Sequence, residues 1–223
     1  MGLTRSEQYI NLFIIHRAQA MTPNLPADDT ESNRQRILDA AEGRFRTYGF
    51  GKTTMAEIAE DVDMSAANLY RYFENKQDIA GACAQRCMGE RLQALRSAVR
   101  TPSKSAAERL RLLVSTMLDH THERASDDKK INELVEIVAR ERRDIIDAKV
   151  QSECALIAEI LSYGNERGEF DIEDVIATSR AVHCALTLFD VPLFMPLFSR
   201  EEFGRLADGV LALLLRGLLR RAA

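Results

Sequence analysis

Proline and glycine are so placed that most of this chain has nothing to interrupt a helix. Four of the five prolines are Pro23, Pro26, Pro192 and Pro196, and the glycines are sparse. A helix interior tolerates neither residue well, so the long stretches without them predict an all-α protein. With 223 residues, the chain can form one large domain or two small ones around a core that needs no disulfide staples. Cys83, Cys87, Cys154 and Cys184 then read as free thiols of a reducing compartment, the cytoplasm. No apolar run is long enough for a membrane span; Leu12 to Ile15 is far too short. Residues 1–31, with Pro23, Pro26 and the acidic pair Asp28-Asp29, read as a flexible N-terminal extension, and Met21 is a candidate start.

Helix signals begin at Ser32, which forms a capping box with Gln35 ahead of Ile37, Leu38, Ala41, Phe45 and Tyr48 at helical spacing. Gly49 and Gly51 end that helix. Thr54 and Glu57 make a second box, and Met55, Ile58, Ala59 and Val62 give a short helix its apolar face. After the tight connection Asp63-Met64-Ser65, Ser65 caps a third helix carrying Leu69, Tyr72 and Phe73. Asn75 caps a fourth that starts at Lys76. Two short helices joined by so short a turn make a helix-turn-helix unit. Further helices are expected at about 104–124, 128–148, 149–167, 172–190 (capped by Asp171) and from Ser199 onward, with breaks at Gly168 and at Pro192 to Phe198.

The stretch Thr53-Thr54-Met55-Ala56-Glu57-Ile58-Ala59, followed by Met64-Ser65-Ala66-Ala67-Asn68-Leu69-Tyr70-Arg71-Tyr72-Phe73-Glu74-Asn75-Lys76, resembles the signature of the tetracycline-repressor (TetR) family. The preceding run from Arg36 to Ala59 also looks like this family's first two helices. The resemblance implies three parts: the extension at 1–31, a helix-turn-helix DNA-binding domain at 32–80, and a helical effector-binding and dimerisation domain at 81–223. Two positions depart from the common pattern. Asp63 stands where glycine is frequent, and Ala67 where glycine or proline often stands. Aspartate tolerates a left-handed backbone better than most residues, so the turn survives, with a negative charge added on the DNA side.

In such a unit the second short helix enters the major groove, its N-terminal residues towards base edges. Leu69 and Phe73 then face inward, while Ala66, Ala67, Asn68, Tyr70 and Arg71 face DNA. Arginine pairs with guanine N7 and O6, asparagine with adenine, and alanine meets a thymine methyl group. The resemblance implies phosphate contacts from Thr54, Tyr72 and Lys76. Between residues 33 and 80, seven cations meet eight acids, and the whole chain carries a net charge of -4. Non-specific binding is therefore expected to be weak, with reliance on specific contacts by a homodimer on a palindromic duplex.

The larger domain is expected to hold a largely apolar pocket for a small-molecule effector, with Met117, His120, Leu134, Ile137, Cys154, Ile157, Tyr163, His183, Leu186 and Phe189 as candidate lining residues. For each of them plain core is the stronger reading, since an apolar residue on a helix is usually core. A metal site is not expected. Cys83 and Cys87 share a helix face, but no histidine or acid pairs with them, and the neighbours His120/His122 and His183/Cys184 diverge. No nucleophile elbow, phosphate loop, dinucleotide fingerprint or other cofactor motif appears, so no enzyme is expected. The helices at 172–190 and 199–220 have more apolar positions than one surface stripe needs, and are expected to form the dimer interface. The fourth helix is the only obvious rigid link between the two domains. A helical carrier or enzyme, and a regulator without an effector, remain as alternatives.

Overall fold

The computed structural model describes residues 27–102, 104–124 and 129–219, and within these the side chains of residues 27–29, 124, 129 and 131 are also left out of the description. Met21 and most of the expected N-terminal extension lie outside the described residues. The described chain is helical: α1 (Ala27–Tyr48), α2 (Met55–Asp61), α3 (Ala66–Leu69), α4 (Lys76–Val99), α5 (Ala106–Arg124), α6 (Lys129–Glu141), α7 (Arg143–Glu166), α8 (Val175–Leu186) and α9 (Arg200–Leu218). Two 3-10 turns, Thr187–Phe189 and Pro192–Leu197, join α8 to α9. Among the described residues no helix is long and apolar enough to cross a membrane.

The described residues up to Arg36 and those from Ile37 onward fall in separate units. In the first, Gln35 donates to Glu31 (2.8 Å) and Arg36 to Asn33 (3.3 Å) along the opening turns of α1. The second unit holds two apolar cores. One gathers Ile37, Leu38, Ala41 and Phe45 of α1, Ile58 and Ala59 of α2, Leu69, Phe73, and Ile79, Ala80 and Cys83 of α4. The other gathers Leu95 and Val99 of α4, Leu110, Leu113 and Met117 of α5, Ile157, Ile160 and Leu161 of α7, Val182 and Leu186 of α8, and Phe203 and Leu211 of α9. Helix α4 thus serves both cores, one with each half. It is not the only link, because α6 packs Leu134 and Ile137 against the first core.

Side-chain caps fix several helix starts. Thr54 and Ser199 make reciprocal capping boxes with Glu57 and Glu202, and Ser65 and Asn75 accept from the backbone N–H groups of Asn68 and Asp78. Each such cap stabilises by about 1 kcal/mol. Three boundaries differ from the sequence reading. Helix α1 begins before Ser32, which lies inside it rather than capping it. The break expected near residue 148 falls at Arg142, whose extended φ of -126° separates α6 from α7. Asp174, not Asp171, caps α8 by accepting from the Ala177 N–H. The expected break at Gly168 is present, with φ of +69°. It folds Phe170 back onto Gly164, where any Cβ would run into the Phe170 ring.

Candidate nucleic-acid interface and internal cavity

The turn between α2 and α3 depends on Asp63, which adopts φ of +56°. That left-handed conformation costs most L-residues about 1–2 kcal/mol and aspartate less. The Asp63 and Met64 N–H groups donate to Glu60 and Ala59 carbonyls and close the α2 C-terminus. Leu69 and Phe73 are buried beneath α3 and anchor it, as the helical register requires. Thr54, Ala67, Tyr70 and Arg71 are exposed, while Ala66, Asn68, Tyr72 and Lys76 are half-buried. Arg71 and Lys52 form no ion pair among the described residues.

The remaining cations near this surface, from Ile37 onward, are committed internally. Arg44 donates to Asp61 (2.5 and 2.8 Å) and lies 3.4 Å from Glu57. Arg46 and Arg86 both donate to Glu42, and Arg86 also to Asp39. The Lys76 ammonium donates to the Phe50 and Thr53 carbonyls, each at 2.6 Å, and lies over the Phe50 ring. It fixes the loop that leads into α2 instead of extending into solvent. The Thr54 hydroxyl donates to Glu57 (2.8 Å), whose carboxyl is held below its usual range by that bond and by the Thr54 N–H. Lys52, which the sequence reading did not single out as a contact, is exposed in the loop that leads into α2.

Helix α6 holds the same loop and the end of α1. Glu133 accepts from the Gly51 N–H at 3.0 Å, and Lys130 donates to the Thr47 carbonyl. Further round α6, Leu134, Val135, Val138 and Ala139 line a cavity of about 900 Å³ that opens to solvent where Ile176, Arg180 and Cys184 are exposed. Helix α4 contributes Cys83, Cys87, Met88 and Arg91 to that cavity, α5 His120 and Thr121, α7 Lys149, Cys154 and Ala158, and α8 Ser179, Arg180, His183 and Cys184. Of the ten candidate lining residues, His120, Leu134, Cys154 and His183 border the cavity. Met117, Ile157, Leu186 and Phe189 are buried in the larger core, and Ile137 packs on the smaller one. Tyr163 donates to the Lys104 carbonyl (3.3 Å) with the Arg109 guanidinium 3.7 Å from its ring centroid.

One wall of the cavity carries a buried ion cluster. Arg91 donates to Glu153 (3.1 Å), to the Thr121 hydroxyl (3.0 Å) and to Asp190. Lys149 donates to Glu153 (2.8 Å) and to Asp190. His183 Nε2 lies 3.0 Å from Glu153. Burial alone would raise the Glu153 carboxyl, but the His183 hydrogen bond and the charges of Lys149 and Arg91 outweigh it and hold it at about 2. An ionised carboxylate only accepts, so His183 donates from Nε2. Glu153, His183 and Asp190 bring three metal-ligand atoms within 4.8 Å of one another. Arg91 and Lys149 already occupy both carboxylates and would repel a divalent cation, so this donor set does not fit a metal. Arg91 and Glu153 carried a signal in the sequence. Arg91 is a charge between Cys87 and Leu95 in an apolar helical row, and Glu153 lies four residues after Lys149 and four before Ile157, a charge pair leading into an apolar row.

All four cysteines border the cavity as free thiols. Cys83 is inert there, since burial pushes its thiol up to about 12.

Comparison with known proteins gives a consistent result. Residues 37–83 match the model described as bacterial regulatory proteins, tetR family, and residues 106–211 match the tetracyclin repressor-like C-terminal domain. The chain is 24% identical over 165 residues to YfiR, an uncharacterised HTH-type transcriptional regulator of Bacillus subtilis (strain 168), covering 71% of this chain and 78% of that protein. Its fold is similar to that of SmeT, the repressor of the Stenotrophomonas maltophilia multidrug efflux pump SmeDEF, at a TM-score of 0.62 and 23% identity, covering 87% and 94% of the two chains. It is also similar to the transcriptional regulator FadR from Bacillus subtilis, solved in complex with stearoyl-CoA, at a TM-score of 0.61 and 22% identity, covering 82% and 98%.

Proposed function

Because the chain belongs to the tetracycline-repressor family of transcriptional regulators, a family of DNA-binding proteins and not of enzymes, we propose that it is a homodimeric repressor that binds a palindromic operator through α3 and releases it when a small, largely apolar effector fills the cavity. The observation that carries this reading is α6. Part of its surface lines the cavity, while Lys130 holds the last turn of α1 at Thr47 and Glu133 holds Gly51 in the loop that precedes α2. A molecule that displaces α6 therefore displaces the loop that orients the helix-turn-helix, and α4, which lines the same cavity, moves with it. SmeT has been solved with triclosan and FadR with stearoyl-CoA, two molecules with large apolar parts, which supports an effector of that kind.

Base contacts fall to Arg71, Asn68, Tyr70 and the methyl groups of Ala66 and Ala67, and phosphate contacts to Tyr72, Lys52 and the Thr54 end of α2. Lys76 acts from behind, by fixing the Phe50–Thr53 loop. The dimer forms through α8 and α9. Ala177, Ala181 and Ala185 make a small exposed stripe on α8, and α9 exposes Leu206 (42%) and Leu213 (67%). Such a face suits a four-helix contact that leaves the cavity-facing side of α8 free. An effector shifts the equilibrium only as far as it prefers the non-DNA conformation.

The experiment is selection of duplexes from a random library, followed by binding of the selected duplex to the parent and to Arg71→Ala. The expected result is a sequence-specific complex that Arg71→Ala weakens by about 1–3 kcal/mol, with preference relaxed at one base position. No enrichment, or equal affinity of the variant, contradicts the assignment.

A further inference from the structure

The charges around the cavity do not balance, and the imbalance identifies its ligand chemistry. The bordering acids are Glu42 and Asp190. Glu42 accepts from Arg46 and Arg86, and Asp190 from Arg91 and Lys149. Glu153, behind the wall, accepts from Arg91 and Lys149 as well. Every acid there is therefore neutralised by cations already present. Arg180 is different: it borders the cavity from α8, is exposed, and forms no ion pair among the described residues. Lys149 and His183 meet on the same Glu153 oxygen, at 2.8 and 3.0 Å, and Arg180 lies one turn before His183 on α8, so both cations border the cavity along its α7–α8 wall. Lys149 spends two of its three N–H donors on Glu153 and Asp190, which leaves one for a ligand.

Resting on the effector-cavity reading above, we propose that Arg180 and Lys149 form an anion-recognising subsite, and that the effector is an apolar acid: a hydrophobic body with one carboxylate or comparable monoanion. The body occupies the apolar space bounded by Leu134, Val138, Met88 and Ala158, and the anion takes the guanidinium of Arg180 and the spare Lys149 donor. A charge-assisted hydrogen bond is stronger than a neutral one, so the acid is held in preference to its neutral analogue. A lipophilic cation meets no free carboxylate and is disfavoured by the surplus positive charge.

Isothermal calorimetry of the full chain with dodecanoate, dodecanol and dodecyltrimethylammonium tests this, and 2-naphthoate against 2-naphthalenemethanol distinguishes an aromatic from an aliphatic body. In the parent, at least one acid is expected to bind about 10–100-fold tighter than its alcohol, the range set by one charged hydrogen bond. The cation should bind weakest. Arg180→Gln lies outside the buried cluster and keeps the fold; it should remove most of the acid's advantage while leaving the alcohol unchanged. Arg180→Glu should bring the cation's affinity up and the acid's down. Equal binding of acid and alcohol, a parent preference for the cation, an Arg180→Gln loss shared equally by acid and alcohol, or no binding by any probe up to about 1 mM overturns the proposal. Retention of the selected duplex is read separately. An acid that binds with the stated charge preference but leaves the duplex in place supports the subsite and refutes effector release.

Discussion

Replacing Arg91 by methionine keeps an unbranched apolar stem and deletes the guanidinium from the middle of the cavity wall. Glu153, Thr121 and Asp190 each lose a donor. The Thr121 hydroxyl still donates to the Met117 carbonyl (2.8 Å), so its loss is small. The two carboxylates are the problem, because both residues are only 4% exposed and they would retain Lys149 as their one full cation. One buried negative charge is left uncompensated, which costs about 3–5 kcal/mol. Set against about 5–15 kcal/mol of total stability, that is a large fraction. Urea unfolding followed by circular dichroism at fixed protein concentration should show the midpoint falling by about 1–5 M for a slope of about 1–3 kcal/mol per M. The double variant Arg91→Met/Asp190→Asn removes the orphaned charge too and should recover at least half of the loss. A single variant within about 1 kcal/mol of the parent, or a double variant equal to the sum of its singles, refutes the claim that these residues form one charge-balanced unit.

Glu153 gives the same cluster an acid limb. Its folded carboxyl is held at about 2 against an ordinary 4.5, so its stabilising contribution is complete above pH 4.5 and is lost as pH falls through about 2. The difference amounts to at most about 3 kcal/mol, and Glu153→Gln should flatten the decline of urea midpoints between pH 4.5 and 2.5. At Asp63 (φ +56°), glycine should change thermal stability by less than about 1 kcal/mol, because its freedom at positive φ offsets its entropy cost, whereas Asp63→Val should destabilise by about 1–2 kcal/mol. Gly164→Ala places a methyl group in the Phe170 ring and should lower stability by about 1–3 kcal/mol in the same assay, with duplex affinity per folded dimer unchanged.

The helix-turn-helix was legible because it is written locally. Thr54, Ser65 and Asn75 cap their own helices, and Leu69 and Phe73 face inward at helical spacing. Even the aspartate at the turn declared its left-handed backbone. Helix ends without a local signal were misread: Ser32-Gln35 looks like a capping box, yet α1 continues through it, and the Arg142 break has no side-chain cap to announce it. The cavity was only partly legible because its residues are far apart in sequence. Arg91 and Asp190 are 99 residues apart. An apolar position on a helix reads the same whether it faces a cavity, as Leu134 does, or a packed core, as Leu186 does. Lys76 illustrates the remaining ambiguity, since its position suggests phosphate but its ammonium is held by the Phe50 and Thr53 carbonyls.

The central claim is that two copies of this chain present one α3 each to successive major grooves of a two-fold duplex. Successive grooves on one face of DNA are about 34–36 Å or 10–10.5 base pairs apart. The measurement is fluorescence anisotropy of the selected duplex, compared with the same duplex carrying about five extra base pairs between its half-sites. Half a turn moves one site to the opposite face of the helix, where the second α3 of a rigid dimer cannot reach it. The account predicts two protomers, or a multiple of two, per selected duplex and an affinity loss of at least about tenfold on insertion. One protomer per duplex, or an affinity unchanged by the insertion, contradicts it.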